Sequence, residues 1–528
     1  MSGTAEDSAN SGESLSPLFH DYLFDFTQVA PFYPAGAPFE LERLAARAAA
    51  LDYPAERRAA MAAELARQNP GNTVEAGRFD EPGTAAILTG QQAGLLGGPL
   101  LGVFKAMTAV LIAERLRARG TAAVPIFWMA TQDHDLVEVN QAWVPDGNDE
   151  LHRLSADFNG SAAAGHAIGS LRLNDTIRHA LEEAERSCEG DWSAVRAAYQ
   201  PGATLAEAFG GLLRRWFAPW GLLVFDPRCA TAAGLWQPYY VAAFDRQAEL
   251  AGLLGERGAG LAASGYHVQV EQTGAASMLF LEEPEGRRGL RRGEHGWLIG
   301  ETPVEAAALR ARVAGDAVHV SAAALLRPVL QDVAFPTVAQ VTGPAEIAYL
   351  AQSAVLYQAL GVSQPVAWPR ARATLVDAKA QRLLQKYGIT LTELREAGAG
   401  ELLARRALPA GIREHAAALR AQTESGLQAL GAELQQLDPT LVDAVQGAGQ
   451  KIEHQLQQLE TRVVRSLARR SGELGAQARH LDAWLVPEGQ PQERVLSAAA
   501  VIARNPALLE RLYGALDPDA RAHQQIQL

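Results

Sequence analysis

The chain has 528 residues, and because single hydrophobic cores stop growing near about 250–300 residues, two or more domains are expected. Its 48% hydrophobic and 20% charged composition is that of a globular protein rather than a disordered one. The formal net charge of −13 argues against nucleic acid and anionic membrane as partners, since such binding rests on clustered Lys and Arg.

Residues 1–16 are polar and lack the positive start and apolar core of a signal peptide, and no apolar run approaches the about 20 residues of a membrane helix. Helical spacing through Leu41, Leu44 and Leu51, and again around Met61 and Leu65, predicts a helical lead-in. Thr84–Thr89 then reads as a short buried strand, followed by a glycine-rich turn from Gly90 through Gln91, Gln92, Gly94, Gly97 and Gly98 to Pro99. The stripe Leu101, Phe104, Met107, Leu111 and Leu116 predicts a helix ending at Gly120, and Val124–Ala130, apolar on both alternate faces, predicts a second buried strand. Strand, crossover helix and strand make a βαβ unit with parallel strands. Parallel sheets bind ligands beyond the carboxyl ends of their strands, which places Thr89-Gly90-Gln91-Gln92 and Thr131-Gln132-Asp133-His134-Asp135 at one crevice. Free amides in the turn suit an anion, whereas two carboxylates and an imidazole suit an amine or a proton transfer. No structural metal is expected, because neighbours on an extended chain point to opposite faces.

From Asp146 to about Gln200 the chain is polar and rich in Gly and Ala, as an insertion would be; a helix over Leu205–Phe217 and a buried strand over Gly221–Asp226 follow. Asp226 is either a crevice acid or the first residue of an Asp-Pro turn. Tyr266–Glu271 and Ser277–Leu281 alternate like an antiparallel pair. Glu282–Gly300, with Arg287, Arg288, Arg291 and Arg292, reads as a solvated hairpin arm, and Ser321 as the N-cap of a helix over Ala322–Leu326. Val338–Val341 is a further strand, and Thr342-Gly343-Pro344 with Glu346 in the first helical turn repeats the logic of the first glycine corner. Beyond about Val376, Leu419, Leu427, Leu430, Leu434 and Leu437, then Val445, Ile452, Leu456 and Leu459, form a heptad seam; Asp438-Pro439 folds it into two antiparallel helices of about 27 and 40 residues.

Two separated blocks carry a resemblance. Thr89–Leu95 with Lys105, Pro125–Trp128, Asp133-His134-Asp135, Glu138 and Asn140 form the first. Arg327, Gln331, Asp332, Gly343, Glu346, Tyr349, Arg370 and Thr374 belong to the second. Together with the closing run Gln490–Val495 they resemble the cysteine-adding enzymes of bacillithiol synthesis, the BshC family. The resemblance implies an α/β fold: a Rossmann-like parallel-sheet core similar to class I aminoacyl-tRNA synthetases, spanning 1–375 with insertions at about 146–220 and 255–320. It also implies a coiled-coil arm over 376–486 and a segment, 487–528, that returns to the core. The implied function is a cytoplasmic ligase joining L-cysteine to the amino group of glucosaminyl-malate, with ATP and Mg2+ as activator through an adenylate or acyl phosphate. The arm by itself suits either a homodimer formed through it or a purely intramolecular hairpin. In that reading His134, Asp133 and Asp135 are catalytic. The turn from Thr89 through Gly98 and the Gly343 helix terminus hold phosphate oxygens, Glu346 orients an amine, and Arg327 or Arg370 pairs with the malate carboxylates. Gln132 departs from the glutamate common in the family. The alternative from another class is a nucleotide-binding sensor or scaffold acting through the arm. The sparse cysteines, Cys188 and Cys229, with no CxxC spacing, fit a reducing compartment.

Overall fold

A computed structural model describes residues 15–158, 165–294 and 296–528. Fourteen strands occur among them, in chain order β1 Ala85–Gln91, β2 Ala123–Met129, β3 Ala142–Pro145, β4 Leu151–Leu154, β5 Leu223–Phe225, β6 Ala276–Glu283, β7 Gly286–Gly293, β8 Gly296–Ile299, β9 Thr302–Val304, β10 Val320–Ala322, β11 Thr337–Thr342, β12 Val366–Pro369, β13 Ala373–Val376 and β14 Gln524–Gln527. The central sheet is wholly parallel, in the order β12-β11-β1-β2-β5. β1 is apolar from Ala85 to Leu88 and buried through Thr89, because helices cover both its faces. Ala86 and Leu88 pack with Trp236 and Phe335 on one side, while Ala85 and Ile87 meet Ile112 and Leu116 of the Leu101–Ala118 crossover helix on the other. That helix is buried on nearly every side, which is why its apolar residues form no single stripe. Truncating one of its largest buried side chains, Phe104, to Ala would cost about 3–5 kcal/mol.

Between β2 and β5 lie the β3–β4 hairpin and the Thr176–Ser187, Ser193–Ala198 and Leu205–Phe217 helices, the last started by a reciprocal Thr204–Glu207 capping box. Between β5 and β11 lies a five-stranded antiparallel sheet, β10-β6-β7-β8-β9. Two local expectations fail here. Tyr266–Glu271 is not a strand; both polar groups of the Val270 backbone are taken by the Gln352 side chain, and β6 pairs with β7 and β10 instead. Ser321 is not a helix cap but a β10 residue opposite Phe280, and the helix starts at Arg327, with Pro328 preset for its first turn.

The arm is a hairpin of two helices, Ala410–Leu437 and Val442–Arg470, whose corner is made by Asp438 accepting from the Thr440 N–H at 2.9 Å. At 28 and 29 residues each spans about 42–44 Å at 1.5 Å per residue. The second is shorter than its heptads predict, because Ser471 caps a new helix, Gly472–Leu485, by accepting from the Leu474 N–H. The C-terminal segment packs on the core: β14 runs parallel to β13, the Trp368 indole donates to Pro518 O at 2.9 Å, and Ser497 Oγ donates to Leu96 O at 3.0 Å.

Candidate active site

The order of the central sheet fixes where a ligand can sit. The chain leaves β1 toward β2 and β5, then crosses back to build β11 and β12 on the other flank, so the connections diverge between β1 and β11. At the carboxyl ends of that pair, where Thr89 faces Val341, lies a cavity of about 310 Å³. Of the residues singled out from sequence, Thr89, Gly90, Gln91, Gln92, Lys105, Asp133, Glu138, Arg327, Gln331, Gly343, Glu346, Tyr349 and Arg370 line it. Gly94, His134, Asp135, Asn140 and Asp332 do not.

One wall is acidic and amide-rich. The Gln92 amide donates to Asp133 Oδ2 at 2.8 Å and to Glu138 Oε2 at 2.9 Å, so a single side chain from the β1 turn sets both carboxylates after β2. Burial favours the neutral acid at Asp133, but the Gln92 amide, the His134 N–H, Arg327 and Arg287 outweigh it and hold the carboxyl below its usual range. Asp133 is therefore a fixed anion at neutral pH. Facing it is Arg327, whose charge is opposed by burial and more than restored by Tyr349, Asp133 and Glu346.

Beneath lies a closed polar knot. Lys105, 3% exposed on the crossover helix, donates to Gly90 O at 2.8 Å, to Gln91 Oε1 at 3.0 Å and to Glu346 Oε2 at 2.5 Å. All three ammonium protons are thus used, and burial pushes its pKa down while Glu346 opposes the fall. Glu346 also accepts from the Gly343 N–H at 2.7 Å, and Pro344 has no N–H to offer. The second glycine corner consequently carries its own anion.

The rest of the expected anion site is also occupied. Ala93 through Gly98 are buried; the Gly97 N–H donates to Tyr199 Oη at 2.9 Å, and the Ala498 N–H donates to Gly98 O at 2.9 Å. Only Gly90–Gln92 of that turn reaches the cavity. Gly90 is required sterically, since a Cβ there would lie 2.7 Å from Trp128 O. Gly94 approaches Gly98 and its carbonyl accepts from Tyr199 at 2.6 Å.

The Asp-His-Asp triplet lies in the turn that follows β2, and its three side chains part company. Asp133 faces the cavity. His134 points away, with its side chain 44% exposed and its Nδ1 accepting from Arg287 at 3.2 Å, and Asp135 caps the Leu136–Val139 turn. Asn140 accepts from the Ala156 N–H at 2.9 Å and so tethers the insertion. Asp226 resolves as the turn residue, accepting from Thr131 and Arg228. Arg370 lines the cavity, but its guanidinium is committed to Glu493 as a two-pronged pair in which the residues are 4% and 1% exposed. Asp332 sits behind Gln340 and against Tyr357, where burial pushes its pKa up to about 7.

Sequence reasoning missed Arg287, Gln340 and Arg494. Arg287 hid in a run of arginines; the signal was Gly289, which lies opposite Phe280 and leaves that ring uncovered for the Arg287 guanidinium, 3.8 Å from its centroid.

Residues 6–371 match the family described as bacillithiol biosynthesis BshC, N-terminal Rossmann-like domain, and residues 373–528 match its C-terminal coiled-coil domain. The chain belongs to the BshC family. It is 35% identical over 518 residues to a Solibacter usitatus protein named "Putative cysteine ligase BshC", with 96% of each chain covered. Proteins of the same name from Koribacter versatilis, 36% identical with 92% of each chain covered, and Thermus thermophilus, 32% identical with 90% and 95% covered, are also similar. The chain is thus a cysteine ligase of bacillithiol biosynthesis by family. Within BshC's first domain, the blocks read from sequence converge on the switch-point cavity, while the coiled-coil domain supplies Arg494 to that cavity and Glu493 beneath it.

Proposed function

We propose that this BshC protein joins the carboxyl group of L-cysteine to the amino group of glucosaminyl-malate, the last step of bacillithiol synthesis. The observation that carries the reading is the switch-point cavity in which an ionised carboxylate, Asp133, stands across from a half-buried cation, Arg327. Asp133 holds the acceptor's ammonium, and Glu138, tied to it through Gln92 but exposed to solvent, takes the proton that must leave before the nitrogen attacks. The Gln91 and Gln331 amides, which line the same cavity, face the negative charge that grows on the reacting carboxyl.

Amide formation from a free carboxylate is uphill in water, and ATP with Mg2+ would supply the activation. Lined by Arg372, Arg395, Arg494 and His267, a cavity of about 430 Å³ adjoins the first across Pro344, Ala345 and Arg370 and suits its phosphates. The test is direct: purified protein with cysteine, glucosaminyl-malate and ATP should yield the thiol product by mass spectrometry, with AMP or ADP released in step. Absence of product with all three present would refute it.

We propose also that the arm joins two copies of the chain in the cytoplasm. Ile412, Leu419, Leu430, Ile452 and Leu459 are 40–57% exposed along the hairpin, an apolar stripe that a second copy would cover. Cys188 and Cys229 are free and buried, and no helix among the described residues is long and apolar enough to cross a membrane.

A further inference from the structure

Beside the main crevice a smaller cavity of about 120 Å³ opens between the parallel sheet and the inserted antiparallel one. Trp128, Ala130, Asp133 and Arg327 line both, so the two spaces communicate along the Asp133 side chain. Its far wall is Phe280 of β6, Arg287 of β7 and Ala322 of β10. Arg287 is held from every side: it stacks on Phe280, and its Nε donates to Ser321 Oγ at 2.9 Å, one terminal nitrogen to Ala322 O at 2.8 Å and the other to His134 Nδ1 at 3.2 Å. A guanidinium has five N–H groups. One proton on each terminal nitrogen is therefore left, among the described residues, for a ligand. Burial lowers the Arg287 pKa to about 10, with Asp133 opposing, so the group stays charged at neutral pH. The cavity thus brings two cations, Arg287 and Arg327, beside one anion, Asp133.

We infer that Arg287 and Arg327 form the subsite for the malate carboxylates of the amine acceptor, leaving its amine toward Asp133 and Glu138. The inference rests on the ligase reading above and deepens it. Three ligand groups are anionic in that reaction, and two fit this space poorly. The cysteine carboxylate is the reacting group and must stay in the main cavity where the amine arrives. A triphosphate is too large for a space of about 120 Å³ that also holds the Asp133 charge. A compact dicarboxylate meets two fixed guanidiniums, one of them pre-oriented by four contacts, which is the arrangement that recognises planar carboxylates. His134, whose ring is not part of the main cavity's lining but stands with Nδ1 3.6 Å from Asp133 Oδ1, becomes a positioning residue that steers Arg287.

The experiment is isothermal titration calorimetry of glucosaminyl-malate and of carboxylate-free glucosamine on the full chain, run beside the ligation assay. Arg287→Gln should weaken glucosaminyl-malate binding by about tenfold to a hundredfold while changing glucosamine binding less than threefold. Arg287→Lys, which keeps the charge over Phe280 but loses the fork, should fall between the two and serves where the Gln variant fails to fold; thermal midpoints of both are measured. His134→Ala should weaken the same ligand severalfold, and His134→Gln, which can still accept from Arg287, should restore part of it. Unchanged glucosaminyl-malate affinity in a folded Arg287 variant, equal loss for both ligands, or no glucosaminyl-malate binding by the parent chain would each overturn the subsite. A parent chain that binds glucosaminyl-malate in an Arg287-dependent way yet forms no amide would instead refute the ligase reading and leave the subsite standing.

Discussion

Replacing Glu493 tests whether the coiled-coil domain's final segment is part of the site's foundation. Glu493 and Arg370 are 1% and 4% exposed, and the pair bridges the C-terminal segment to the end of β12. Removing one partner of a buried pair costs about 3–5 kcal/mol, because the other charge is left without compensation. Glu493→Gln keeps an acceptor for one of the two guanidinium contacts and should sit near ~3 kcal/mol; Glu493→Leu keeps none and should approach ~5 kcal/mol. Arg370→Leu with Glu493→Leu removes both charges and should recover most of the loss, since a packed apolar replacement of a buried pair is often neutral. The assay is urea unfolding followed by tryptophan fluorescence, to which Trp368, beside Arg370 on β12, reports. A cost below about 1 kcal/mol for Glu493→Leu, or a double variant as unstable as the single one, would refute the reasoning.

Other outcomes follow from the same geometry. Asp133→Asn should lower product formation about a hundredfold or more with the fold intact by circular dichroism, whereas His134→Ala should lower it less than about tenfold at saturating acceptor. Lys105→Met removes three hydrogen bonds and leaves Glu346, 25% exposed, without its cation, so the fold should lose roughly 3 kcal/mol of stability; a ligand-binding lysine would lose affinity with no loss of stability. Asp332, whose pKa is raised to about 7, favours the fold while protonated; its stabilising effect is full below about pH 4 and is lost as pH rises through about 7. Asp332→Asn should flatten that decline in a melting series from pH 4 to 8. Leu430→Glu with Leu459→Glu should turn a dimer into a monomer in sedimentation without loss of the core's melting transition.

Much of the frame was legible because it is local. A short apolar strand, a glycine corner, a crossover helix and a second apolar strand can be read from spacing alone, and the heptads of the arm likewise. Glu346 in a first helical turn was legible too, but its consequence was not. Only the fold shows that this carboxylate already satisfies Gly343 and Lys105, so that the second corner is a structural joint.

What the sequence by itself determined is which chemistry the chain owns and the rim to which two of its blocks must come, because parallel strands and their crossover helices admit one hand and one binding edge. What the tertiary structure decided is which side chains arrive there with capacity to spare. Asp133 lines the cavity while the neighbouring His134 ring meets Arg287 outside it, and Arg370 is neutralised by a partner 123 residues away. Arg287 is carried in by an inserted sheet whose arginine run looked like solvent-facing surface. Such pairings depend on contacts between distant segments, and no local pattern of residues encodes them.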